Sequence, residues 1–286
     1  MADLLAAVAV PVECDLGEGP VWDAAVGVLR WLDVPVARLH GWDLVGDHQV
    51  RPLAVVASCV LPTTSGDLVV AGEGAVHRAD PDGAITARVA DLGLPSDVRT
   101  NDGSVDPFGR LWVGSADGDP SGEGGALHRV WADGRVDLLR SGLSMSNGIG
   151  FSPDGTRAYH VDTRRRRIDE LRLDDAGDIV STRTFATSVD WPDGLAVDAD
   201  GGVWVAFWDG GQVRRFSVDG TVDAVVDVPS GFVTSCAFGA PGTTTLHITT
   251  AAAGLDADAR RRFPDSGALF AVDVGISGVP VPLFGS

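Results

Sequence analysis

The chain has 286 residues, 44% of them hydrophobic, with 37 glycines and 16 prolines. That length can bury a sizeable core, and the glycine and proline content suits many short strands joined by tight turns. The net charge of −18 and the pI of about 4.5 repel phosphate backbones and anionic lipid, which argues against nucleic acid and membranes as partners. All 22 basic residues are arginine, so lysine Schiff-base chemistry is excluded. Cys14, Cys59 and Cys236 show no CxxC spacing and read as buried free thiols.

The apolar run Leu4 to Val12 lacks a basic lead and is too short to span a bilayer, so it reads as a strand in a soluble, cytoplasmic protein. Its expected partner is the C-terminal run Gly267 to Val274. Between these ends one pattern recurs: a short apolar run, a glycine turn and a second apolar run, as in Leu195-Ala-Val-Asp-Ala-Asp-Gly201-Gly-Val-Trp-Val205. Such a segment is a β-hairpin, because glycine and aspartate tolerate the positive φ of a tight turn and Val, Trp and Phe suit pleated strands. The turn glycines are Gly27, Gly66, Gly109, Gly155, Gly201 and Gly242, spaced 39 to 46 residues apart. So even a period predicts an all-β, six-bladed β-propeller, and a β-sandwich has no reason to keep it. Residues 1–286 then form a single domain, its ring closed by pairing of the N- and C-terminal strands.

Three segments stand out from the repeat. Gly114 to Gly125 is a Gly/Asp/Ser-rich loop in blade three, a pocket rim or a flexible link. Its Asp117 to Gly122 faintly resembles a helix-loop-helix calcium motif, but the twelfth position is His128 and no helices flank it. Arg164 to Arg167 and Arg260 to Arg262 read as solvated turns, since acidic residues surround the first and the whole chain is acidic.

Counting back eight or nine residues from each turn glycine reaches Glu18, Ser58, Asn101, Asn147, Asp193 and Thr234. Equivalent positions in successive blades lie at equivalent places around the axis, so these six should ring one mouth of the central channel. Two readings fit such a ring. It can be a water-filled channel of mutually hydrogen-bonded groups, or a divalent cation held by oxygen ligands that also offsets the two carboxylates. Other chemistries lack their motifs: there is no GxSxG elbow, no HExxH and no phosphate loop, and the six histidines are scattered.

Leu16-Gly-Glu18-Gly-Pro-Val-Trp22, Arg99-Thr-Asn101-Asp-Gly103, Ser146-Asn147-Gly148, Pro192-Asp193-Gly194 and Thr234-Ser-Cys-Ala-Phe-Gly239 together resemble the senescence marker protein (regucalcin)/gluconolactonase/luciferin-regenerating enzyme family. The resemblance spans nearly the whole chain in the right order. It implies a six-bladed propeller with one divalent metal on the axis, calcium first, with magnesium, manganese or zinc as alternatives. It also implies hydrolysis of a small-molecule sugar lactone, with Glu18, Asn147 and Asp193 as metal ligands and Asp193 also as the catalytic base. Arg99 and Asn101 become substrate-binding groups, and Asp119 stands for the glutamate that the family often carries in its blade-three loop. Two other functions use the same ring: phosphotriester hydrolysis, and calcium-binding regulation without catalysis.

Overall fold

The computed structural model describes residues 3–187 and 190–286. Each of the six turn glycines has a positive φ, between 68° and 83°, where a Cβ would be strained. Each therefore reverses the chain between the first and second strands of a sheet. Six sheets result. Blade one comprises Gly17–Asp23, Val28–Asp33, Arg38–Trp42 and His48–Pro52. Blade two comprises Ala57–Pro62, Leu68–Gly72, Ala75–Ala79 and Ile85–Asp91, and blade three Val98–Val105, Leu111–Asp117, Gly125–Val130 and Val136–Leu143. Blade four comprises Ser146–Phe151, Arg157–Asp162, Arg167–Leu173 and Ile179–Ala186, and blade five Pro192–Val197, Val203–Phe207, Gln212–Phe216 and Val222–Asp227. The chain is a six-bladed β-propeller.

Blade six takes Phe232–Phe238, Thr245–Ala251 and Leu269–Asp273 from the C-terminal part, and its outermost strand is Ala7–Val10. The N-terminal run is divided rather than continuous. Asp3–Leu5 lies parallel to Val222–Asp227 as a fifth strand of blade five, and Ala7–Val10 runs antiparallel to Leu269–Asp273. Ala6, between them, is buried.

The second strand of each blade is sandwiched between neighbouring sheets, so Leu68–Gly72 and Val203–Phe207 are buried throughout and read as unbroken apolar runs. Trp204, Val213 and Val226 of blade five pack against Val233, Ile248 and Phe270 of blade six in one such layer. In blades three and five the hairpin turn carries Asp-x-x-Gly-x-x-Trp, and its aspartate is completely buried. Asp106 accepts from the indole of Trp112 at 2.9 Å and from Arg110 at 2.6 Å, and Asp198 accepts from Trp204 at 2.8 Å and from Arg215 at 2.7 Å. Each buried charge is thus met by a cation and a neutral donor together, which buried ion pairs require.

One short helix, Ala257–Arg262, is capped by the Asp256 carboxylate on the amides of Asp258 and Ala259. Arg260 to Arg262 therefore form a helical last turn rather than a loop turn, with Arg260 paired to Glu13 at 2.9 Å. Among the described residues no helix is long and apolar enough to cross a membrane. The C-terminal segment crosses the end of the channel where the hairpin turns lie. Its Ser277 carbonyl accepts from Ala199, and the Phe284 amide donates to Pro62.

Deleting residues 1–12 removes one strand from each of two blades and exposes the sheet edges they cover. On the order of 5 kcal/mol should be lost with the buried side chains and ladder, lowering Tm by roughly 10 °C. Calorimetry of the truncated chain reads this directly.

Candidate functional site

Every inner strand carries a register irregularity, and it falls in the same place. The ladder to the second strand shifts between Glu18 and Val21, Ala57 and Cys59, and Thr100 and Gly103. It shifts again between Ser146 and Ile149, Pro192 and Leu195, and Val233 and Ser235. A bulge leaves residues unpaired in the ladder and re-aims their side chains. Here each bulge contains or adjoins one residue of the predicted ring, at the mouth opposite the hairpin turns. Gly148 lets the inner strands approach, since a Cβ there would stand 2.6 Å from the Asp193 carbonyl oxygen.

A cavity of about 610 Å³ opens at this mouth, and Glu18, Ser58, Arg99, Asn101, Asn147 and Asp193 all line it. Thr234, the sixth ring position, does not: it is fully buried and donates to the Gly17 carbonyl, joining blade six to blade one. Asp119 stands apart from the cavity. Its exposed carboxylate accepts from the amide and hydroxyl of Ser121, both at 2.8 Å. The reason is local, because strand Leu111–Asp117 runs further than composition predicts and Asp119 falls at the outer tip of a shortened loop. Arg164 occupies the rim instead, held by the carbonyls of Asp119 at 2.8 Å and Ser144 at 3.2 Å. Arg164 to Arg166 lie in a turn and Arg167 opens the next strand, yet the first arginine of the run faces the site rather than only solvent.

Hydrogen bonds aim the ring. Asn147 donates its amide to the Thr163 hydroxyl and Asn101 donates to the Ser146 carbonyl, each at 2.9 Å. Both carboxamides are therefore anchored through nitrogen, leaving their oxygens for the cavity. Glu18 accepts from the Gly19 amide at 3.1 Å. Asp193 is 5% exposed, and its buried Oδ1 has no hydrogen-bond partner.

Asp102 completes the electrostatics and was not singled out by the repeat. It sits within the blade-three bulge where blades one, four and five have Gly19, Gly148 and Gly194, and it accepts from the Gly103 amide at 2.7 Å. It faces the opposite end of the channel, lining a second cavity of about 400 Å³ closed by residues 279–282. Burial pushes its carboxyl up to about 7. Burial and the charges of Asp193 and Asp102 hold Glu18 well above the usual carboxylate range, and burial with Asp102 does the same to Asp193. Arg99, on the cavity wall, is the cation that acts on both Glu18 and Asp193. At the ring's mouth the Glu18 carboxylate, two carboxamide oxygens and the orphaned Asp193 Oδ1, with one guanidinium on the wall, form an all-oxygen donor set that fits a hard divalent cation.

Residues 16–252 match the family described as the SMP-30/Gluconolactonase/LRE-like region. The chain belongs to that family. It is 36% identical over 284 residues to a pentonolactonase of Haloferax volcanii, covering 95% of each chain. It is 36% identical over 275 residues to a 6-deoxy-6-sulfogluconolactonase of Pseudomonas putida, covering 94% of each. The crystal structure of regucalcin from Agrobacterium tumefaciens, described as a calcium-binding protein, superposes with a TM-score of 0.92 at 31% identity, covering 99% of both chains.

An acid whose folded pKa is raised favours the protonated folded state. Its contribution is complete below the ordinary aspartate value of 3.8 and is lost as pH rises through about 7 for Asp102. Chelated protein should therefore be less stable at about pH 8 than at about pH 5, by on the order of 3 kcal/mol. Asp102→Asn should flatten that slope in denaturant titrations and stabilise the chelated protein at the higher pH.

Proposed function

We propose that this protein is a metal-dependent sugar lactonase, opening an aldonolactone to the aldonic acid at the Glu18/Asn147/Asp193 site. The observation that carries this reading is the buried, unpartnered Oδ1 of Asp193 among converging carboxylates, in a chain 36% identical to two sugar lactonases. Glu18, Asn147 and Asp193 would hold the ion, with Asn101 close enough to contribute its carboxamide oxygen. Calcium is the first choice, supported by the all-oxygen donors and by the calcium-binding description of the Agrobacterium relative. A bound divalent cation supplies Lewis-acid polarisation of a carbonyl and charge stabilisation for an oxyanion.

The chain's own groups account for the remaining steps. Arg99 presents donors to the lactone oxygens from the wall, and Asn101 accepts from a sugar hydroxyl or binds the ion through the same oxygen. Arg164 takes the rim place expected of Asp119 and offers a cation to the far end of the substrate. Asp193, whose burial raises its basicity, takes a proton from the attacking water and returns it to the ring oxygen as the carbon–oxygen bond breaks. The cavity of about 610 Å³ falls in the range for small-molecule sites and accommodates a five- or six-carbon lactone. The setting we propose is cytoplasmic, supported by three unpaired, buried thiols.

Asp193→Asn should lower kcat by at least ~10³-fold, since a metal ligand and the base are removed together. Lactone hydrolysis followed by pH-stat, with each metal added back to chelated protein, measures this; near wild-type turnover refutes the assignment. Arg99→Ala should leave metal affinity by calorimetry within a few-fold of wild type and lower kcat/KM by roughly 10²-fold. Equal loss of metal would make Arg99 structural. A panel pairing aldonolactones with an organophosphate triester separates lactonase from phosphotriesterase, and tight calcium binding without turnover of either would leave a calcium-binding regulator.

A further inference from the structure

A second group of metal-ligating side chains lies away from the axis, at the seam where blade one meets blade six. Cys14, Asp33 and His40 are 1%, 3% and 5% exposed, and each presents a donor atom within 4.8 Å of the other two. The thiol sulfur stands 3.9 Å from Nε2 of His40. The backbone of Cys14 is clamped across the seam: its amide donates to the Gly267 carbonyl and its carbonyl accepts from Ala252, both at 3.1 Å.

Each donor is oriented from behind. Nδ1 of His40 lies 3.0 Å from Nε2 of His48. With the Nδ1 proton donated to His48, the Nε2 lone pair of His40 faces Cys14. Trp31 stacks on both imidazoles, at 4.9 Å from His40 and 5.2 Å from His48. Asp33 uses Oδ1 to accept from the Leu16 amide at 3.1 Å, leaving Oδ2 for another partner. A ligating histidine whose second nitrogen is held, and a carboxylate fixed through one oxygen, are the outer contacts that tune metal sites.

We propose that Cys14, Asp33 and His40 bind a second, structural divalent cation of borderline softness, such as zinc, which pins the N-terminal segment to blade one where the ring closes. One thiolate, one carboxylate and one neutral imidazole offset the +2 charge and supply three donors of a tetrahedral shell. Without metal, burial and the nearby Asp33 charge keep the thiol protonated, up to about 12. Binding therefore forms the sulfur–metal bond and releases the thiol proton to solvent. The site is chemically distinct from the axial one, whose donors are all oxygen.

That contrast supplies the test. Chelated protein is titrated with cobalt(II) and followed by absorbance, because only a thiolate ligand produces a sulfur-to-cobalt charge-transfer band. Wild type should develop the band and saturate at one cobalt per band-forming site. Cys14→Ser should lose it, hold one zinc fewer per chain by elemental analysis, and keep its lactone turnover within about twofold. Glu18→Gln, which alters only the axial site, should keep the band at full height. Absence of the band in wild type overturns the proposal even if Cys14→Ser fails to fold. A band undiminished in Cys14→Ser, or lost in Glu18→Gln, overturns it as well. Because the signal needs sulfur, failure of this site leaves the axial lactonase reading untouched, and failure of the lactonase reading leaves the band unaffected.

Discussion

Carboxylates crowded along a buried channel are the constraint on which the rest of this structure turns. Water solvates such groups well, and a closed ring of sheets removes most of that water. Asp193 and Asp102 raise the proton affinity of Glu18, Asp102 raises that of Asp193, and Arg99 offsets Glu18 and Asp193 only in part. The fold tolerates this arrangement because continuous layers of buried apolar side chains join neighbouring blades. The Asp106 and Asp198 clusters show the contrast: there each buried carboxylate has an arginine and an indole within hydrogen-bonding distance. Charge is neutralised where the blade must be rigid and left unmatched where a ligand must bind.

The six bulges connect the two ends of that contrast. Toward the hairpin turns the inner strands are regular ladder and pack against their neighbours. At the other mouth every ladder slips, and the freed residues turn toward the cavity. Where the next residue is Gly148, neighbouring backbones close to a distance that a Cβ would prevent. In blade three the corresponding place is Asp102, which adds a carboxylate beneath the ring.

Ring closure carries its own chemistry. The N-terminal run serves two blades, and the segment that follows it, through Cys14 to Glu18, passes between blade six and blade one. Thr234 joins the same two blades through the Gly17 carbonyl. The seam thus gathers backbone clamps, a hydroxyl lock and a Cys/Asp/His cluster, at the place where the N-terminal strand completes blade six and the chain passes on into blade one.

By itself the sequence determined the repeat, and through it the six blades, the axis, and the placing of Glu18, Asn101, Asn147 and Asp193 at one mouth. Those follow from local rules, since a glycine turn at a steady spacing repeats one unit and equivalent positions in a ring must converge. Only the tertiary structure decided what depends on contacts between distant segments. Thr234 has the register of a site residue but faces blade one, and Asp119 has the right loop but sits at its outer tip. Arg164 belongs to a charge run that reads as solvated until the blade-three loop folds against it. Asp102 was one residue beyond the counted position, visible only once the bulge gives that residue a direction of its own. Asp33 and His40 carry no motif, because 26 residues separate Cys14 from His40 and only strand pairing across blade one brings them together.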